Sequence, residues 1–317
     1  MRGRRSQFLH LVLVAAFLLV AVSICPAFFL GPLAVLLLLS RPRTAREWVW
    51  IAVAVTALVA WLRLPESLSQ QTVRAAAAFY VGAFAALTLS GIRSLTSRAM
   101  IAATIAAAAM VGWFFALHLR FADLQSDIVN QSWAAWRQLA GNLPATPPAG
   151  SGDLLQDTQA TDVASRIAAS LSAMAILFPA LLALIALGGT WLAWGDYQRI
   201  ARTPLAPAAA PFREFRFNDH LVWLLLASVA LALLHPSTAA NLLAWNVLVV
   251  VLACYCLRGL AITATMMRNA PPLFIAFLVV IMLLTLVFAM VGFVLVGIAD
   301  TWLDFRRRIQ PPSGVPS

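Results

Sequence analysis

The sequence predicts an all-α fold, a polytopic bundle of transmembrane helices. The chain is 62% hydrophobic and only 11% charged over 317 residues, whereas soluble domains are nearer half apolar and a quarter charged. Its apolar residues are gathered in long runs instead of alternating with polar ones. Its arginines fall in short connectors between those runs, which is how cytoplasmic loops of membrane proteins look.

A span needs about 20 apolar residues. The runs are Phe8–Ile24, Ala27–Leu39, Trp48–Leu62, Val73–Ser90, Ala99–Leu117, Ala164–Trp194, Leu221–Leu234, Asn241–Met267 and Pro272–Ile298. They predict about eight or nine membrane-inserted segments, the second short and the last long enough to bend or double back. The first run has a basic lead in Arg2, Arg4 and Arg5, and Ala21-Val22-Ser23 would pass as a signal-peptide cleavage site. Apolar character resumes at Ala27, so an uncleaved anchor forming a hairpin with the second run is expected, its bend set by Pro26, Gly31 and Pro32.

Arginine placement sets the orientation. Arg2, Arg4 and Arg5, then Arg41, Arg43 and Arg46, then Arg93 and Arg98, then Arg199, Arg202, Arg213 and Arg216, then Arg268 all fall on one side if every run crosses. That predicts a multi-pass membrane protein with a cytoplasmic N-terminus. Full crossing by every run would strand Arg306, Arg307 and Arg308 outside, so either the final run re-enters or another run fails to cross.

The connector from Leu119 to Val163 is the one long one. Phe121, Leu124, Ile128, Trp136 and Leu139 share one side at helical spacing, widened by Val129 and Trp133. This predicts an amphipathic helix that either lies in the membrane interface or packs on other spans. Residues 141–152 are rich in Pro, Gly and Ala and read as a flexible link. The resulting organisation is 1–118 as N-terminal transmembrane hairpins and 119–163 as extracytoplasmic helix and linker. Residues 164–308 form a C-terminal transmembrane half, and 309–317 a disordered tail. Gly82, Ala86 and Ser90, and the stretch Ala106–Ala109 with Gly112, predict close helix packing.

Several function classes are disfavoured. The net charge is +10 and every basic residue is arginine, so neither a Schiff-base lysine nor a P-loop lysine is available. The arginines are dispersed among connectors and not gathered on one soluble face, which argues against nucleic acid as a partner. Cys25, Cys254 and Cys256 lie in or beside apolar runs and read as buried small residues. His10, His118, His220 and His235 are scattered without metal-ligand spacing. No nucleophile-elbow, zincin, Walker or dinucleotide motif occurs. The expectation is therefore no enzyme, no metal and no cofactor.

Arg258 is the main candidate for function. It lies inside the run Asn241–Met267, ten residues before Arg268, roughly 15 Å along a helix, whereas other charges stand at the edges of runs or between them. A guanidinium at such depth needs a partner or a task, and the readings are an anchor for an anionic ligand, a partner for a carboxylate, or a side chain that snorkels to an interface. Asn241, Asn246, Asp300 and Asp304 complete the candidate ligand-binding set. Asp300 and Asp304 are four apart and share a helix face, and Arg307 and Arg308 can pair with Asp304 locally. If the last run doubles back, Asp300 becomes a partner for Arg258; if it crosses once, both aspartates lie on the far side. Phe215 and Phe217 alternate with Arg213 and Arg216 as an interfacial anchor, and Asn218 or Asp219 is placed to cap the following helix.

The stretch Phe212–Trp223, then Asn241-Leu242-Leu243, Arg258-Gly259-Leu260 and Gly297-Ile298-Ala299-Asp300-Thr301-Trp302-Leu303-Asp304-Phe305-Arg306, resembles the YybS-like family of bacterial membrane proteins, a domain of unknown function. The resemblance is distinct from about Ala164 to Arg308 and rests on hydropathy layout before that. It implies a multispan inner-membrane protein akin to the membrane-embedded substrate-binding subunits of vitamin transporters. That family often has a polar uncharged residue where this chain has Arg258, so the resemblance carries no role over to the arginine. The functional expectation is a small-molecule binding or transport component, working with an energising protein partner. The alternative is a non-transporting scaffold or assembly factor whose basic loops dock a protein partner or the lipid bilayer.

Overall fold

A computed structural model describes residues 25–63, 67–91, 94–140, 158–205, 212, 217, 219–234, 237–267 and 270–303. These contain eleven helices, and no strand occurs among them. The helices are α1 (Ala27–Leu39), α2 (Ala45–Leu62), α3 (Leu68–Leu89), α4 (Leu95–Ala116), α5 (Phe121–Ala140) and α6 (Thr158–Ile176). There follow α7 (Phe178–Ile200), α8 (Leu221–Leu234), α9 (Thr238–Met266), α10 (Pro272–Leu284) and α11 (Leu286–Leu303). The chain divides into two compact units, Met1–Ala208 and Ala209–Ser317.

Six helices, α2, α3, α4, α7, α9 and α11, are long and apolar enough to cross a membrane. Three of the nine expected runs supply none of these six: Phe8–Ile24 and the runs that form α1 and α8. Run Phe8–Ile24 lies outside the described residues. Two long runs are broken, though each still supplies one of the six: Pro179 near the start of α7 cannot donate to the carbonyl four residues back, and the helix is interrupted at Leu177. Thr285 turns its hydroxyl onto the Ile281 carbonyl at 2.8 Å, a back-bond that bends helices, and separates α10 from α11. Lastly, α1 and α8 hold only 13 and 14 residues.

The short α1 is the centre of the first unit. Nearly every side chain from Ala27 to Leu37 is buried, as expected of a helix that is apolar all round. It packs with Tyr80 and Phe84 of α3 and Ala186, Ala193 and Trp194 of α7. Pro32 has no N–H to offer the Phe28 carbonyl, and that carbonyl lies against Gly189 of α7, where an added Cβ would stand 2.6 Å from it. The Tyr80 and Thr190 hydroxyls pair at 2.6 Å inside this layer, satisfying two groups that burial would otherwise penalise.

Helix starts follow local chemistry. Ser67, Ser94 and Ser237 each accept a hydrogen bond from the backbone N–H three residues on, capping α3, α4 and α9. Thr44 and Glu47 form a reciprocal capping box at α2. Glu47 also reaches further: besides the N–H groups of Arg43 and Thr44 it accepts from the N–H of Arg202, just past α7. One buried carboxylate thereby ties two connectors together.

The amphipathic helix forms as α5, with a different inner face from the one expected. Leu124 and Trp133 are buried, Trp133 packing with Ala164, Ala168 and Leu171 of α6, while Trp136 and Leu139 are exposed. Asp127 of α5 accepts from the N–H of Ser69 at 2.7 Å, so α5 is also fixed to the start of α3. The small-residue stripe Gly82, Ala86 and Ser90 is exposed, and Gly112 meets no neighbour. Helix α3 packs instead through Val73, Ala76, Ala77, Tyr80 and Phe84, because larger side chains fill the space around α1. The outward apolar side chains, among them Val111, Phe115, Leu233 and Phe288, give the helices the surface a lipid solvent requires.

Candidate functional site

The site lies in the second unit, where α9 packs on α8 and on α11. Gly259 of α9 faces the backbone carbonyl of Phe293, and Gly297 of α11 faces that of Tyr255. As α9 advances from Tyr255 to Gly259, α11 recedes from Gly297 to Phe293, so the two are antiparallel. At both crossings an added Cβ would run into backbone, so only glycine lets the helices come this close. Phe217, Leu225, Val251, Cys254 and Tyr255 form the apolar core beside the crossing, with Val294 and Ile298 packed against it.

Arg258 is one residue from Gly259 and wholly buried. Its Nε–H donates to Oδ2 of Asp300 at 3.0 Å, and Asp300 is itself buried. An Nη1–H donates to Oδ1 of Asp219 at 2.7 Å, and the Asp219 side chain is 52% exposed. The guanidinium carbon lies 5.4 Å from the ring centre of Phe217, which in turn meets Tyr255 edge-on at 5.2 Å. The snorkelling reading is thereby replaced: the charge stays inside and is met there by two carboxylates from separate elements. With two carboxylates against one guanidinium, the cluster carries a formal excess of negative charge. Nη2 of Arg258 has no hydrogen-bond partner among the described residues, and the hydroxyl of Tyr255 lies beside that of Thr301.

Arg258 meets Asp300 across the α9–α11 crossing, which lies past the Thr285 break. A helical side chain leans toward its own N-terminus. Arg258 therefore reaches past Gly297 and finds Asp300 three residues further along α11. Asn241 and Asn246 are not part of this cluster, since on the same helix they stand about 25 and 18 Å from Arg258 along the axis. Asn246 donates to the Leu242 carbonyl at 2.9 Å, and Oδ1 of Asn241 is buried without a partner. Asp304 lies outside the described residues, as do Arg213, Arg216, Asn218, Arg268 and Arg306–Arg308.

Two partners were hidden from sequence reasoning. Asp219 reads as a helix cap, yet its side chain turns to Arg258; the usable signal is an acid directly before a run that neighbours a buried arginine. Phe217 reads as an interfacial anchor, yet it is buried over the guanidinium. Charges at run edges are also not all solvated: Glu47 and Arg98 are buried. The sequence Thr44-x-x-Glu47 announces the first of these as a capping box.

No described protein of known function and no solved structure matches the chain. The family model described as "Predicted membrane protein (DUF2232)" matches residues 8–301. With that match and six helices suited to crossing a bilayer, this is a multi-pass membrane protein, and the chain belongs to the DUF2232 family.

Proposed function

We propose that this protein is a small-molecule binding or transport component of the bacterial inner membrane, with its N-terminus in the cytoplasm and Arg258 at the ligand site. One observation carries the reading. A wholly buried guanidinium is held between a buried carboxylate and a half-exposed one, and one of its nitrogens has no acceptor among the described residues. Asp219 is the exchangeable side of this arrangement: a polar ligand arriving there can take the free Nη2 donor without disturbing Asp300. Both carboxylates are engaged by the guanidinium, which suits recognition more than acid–base catalysis, so the role is read as non-enzymatic. Working with an energising partner protein fits a component of this kind. In this reading α5 keeps its exposed Trp136 and Leu139 at the membrane interface.

Thermal stabilisation of the purified protein by a panel of metabolites tests the proposal, because a ligand that prefers the folded state raises stability. Arg258→Ala is expected to abolish the shift, and Asp219→Asn to alter it in a protein that still folds. A metabolite whose shift survives both changes intact would refute the site.

The scaffold reading draws on α10. Leu273, Phe277 and Leu284 are exposed along that helix, which suits a partner helix as well as lipid. Co-purification of an ATPase pair favours transport; co-purification of a cell-envelope protein favours the scaffold.

A further inference from the structure

We propose that Arg98 and Trp194, in the first unit, form a second site that binds a phosphate-type oxyanion. Arg98 stands in the first turn of α4 and is only 5% exposed. Its guanidinium carbon lies 5.2 Å from the ring centre of Trp194 of α7. Its Nε is buried with no hydrogen-bond partner among the described residues, and so is Nε1 of Trp194. No carboxylate pairs with Arg98 among the described residues, in contrast to Arg258 with its two. A buried guanidinium without a counter-charge is costly, and two orphaned buried donors side by side add to that cost. One anion accepting from both removes all three penalties.

The surroundings favour negative charge. The amino end of α4, capped by Ser94, presents the positive end of a 22-residue helix. Arg199 and Arg202 follow Trp194 within the next turns of chain and are exposed, with Asp196 spent on Arg199 at 3.5 Å. The donor set favours a tetrahedral anion. A carboxylate, with two coplanar oxygens, is matched by one guanidinium fork. A phosphate has further oxygens to accept from the indole N–H of a second helix as well. The indole is held for this task by Tyr197, 5.6 Å away, whose hydroxyl accepts from the N–H of Leu205. The arginine pattern assigns this end of α4 and α7 to the cytoplasmic side, where anionic lipid headgroups and free phosphorylated metabolites both supply that chemistry.

The test uses the full chain in neutral detergent and reads the thermal midpoint. One arm titrates inorganic phosphate against chloride at constant ionic strength. The other adds phosphatidylglycerol against phosphatidylcholine in mixed micelles. The wild type is expected to gain stability with phosphate, with phosphatidylglycerol, or with both; a response to phosphatidylglycerol alone assigns the site to a lipid headgroup, and a response to phosphate assigns it to a free anion. Arg98→Gln is expected to weaken the response about tenfold or more, the loss typical of a charged hydrogen bond. Without anion that variant should be at least as stable as the wild type, because an uncompensated charge has gone; a purely structural arginine gives the reverse. Trp194→Phe keeps the ring and removes one donor, so it should weaken binding severalfold, and it carries the test if Arg98→Gln does not fold. A wild type indifferent to both anions, or variants that respond as it does, overturns the proposal.

Discussion

Arg258 and Asp300 form a hydrogen-bonded ion pair at 3.0 Å with both side chains withdrawn from solvent. Removing one partner leaves the other charged and buried, which costs about 3–5 kcal/mol. Arg258→Met and Asp300→Leu should each lower the thermal midpoint sharply. The double variant should recover most of the loss, since apolar replacement of a buried pair is often close to neutral. A double-mutant cycle in detergent measures the coupling, and purely additive losses would contradict the pairing.

Asp219 is the weaker partner. Its side chain is 52% exposed, so water screens the attraction. Asp219→Asn should cost only about 0.5–1 kcal/mol, in line with exposed ion pairs. Measured beside Asp300→Leu under the same conditions, it should be clearly the milder change.

The glycines at the α9–α11 crossing offer a sharper contrast. Gly259→Ala and Gly297→Ala each drive a Cβ into a backbone carbonyl that cannot rotate away. Each should cost about 1–3 kcal/mol or more through overpacking. Gly82→Ala and Gly112→Ala meet open space and should be tolerated. Thermal unfolding of the four variants checks the ranking.

Glu47 should matter as much as a core residue. Its carboxylate takes N–H groups from Arg43, Thr44 and Arg202. Hydrogen bonds to a charged acceptor contribute about 1.5–3 kcal/mol. Glu47→Ala should lower stability on that scale and open residues 201–205 to limited proteolysis. Glu47→Gln should rescue little, because its amide would set N–H against N–H.

What was legible in the sequence follows from which forces are local. Hydropathy alone reveals the all-helical membrane class, since lipid demands long apolar helices whatever their neighbours. The Thr285 break and the central place of α1 were not legible, because a back-bonding hydroxyl and burial on every side depend on tertiary surroundings. In α5 the helix was readable by its period, but the inner face turns on α6: Trp133 is buried and Trp136 is not. Trp133→Ala should therefore cost about 3–5 kcal/mol, and Trp136→Ala should cost far less. At the site, the depth of Arg258 was visible from one charge in an apolar run. Asp300 could be named only as a candidate and Asp219 was read as a helix cap, because they come from elements 42 and 39 residues away in sequence. No periodicity sets the register between them; the two glycine crossings do.

In the function proposed above, the Arg258 cluster binds a small polar ligand. The most direct measurement compares metabolite-induced thermal shifts of the wild type with those of the Arg258→Met, Asp300→Leu double variant, which keeps the packing and removes the charged site. A stabilising metabolite is expected whose shift disappears in the double variant while the variant's unliganded midpoint stays near that of the wild type. Equal shifts in the two proteins, or a wild type that no metabolite stabilises, would contradict it.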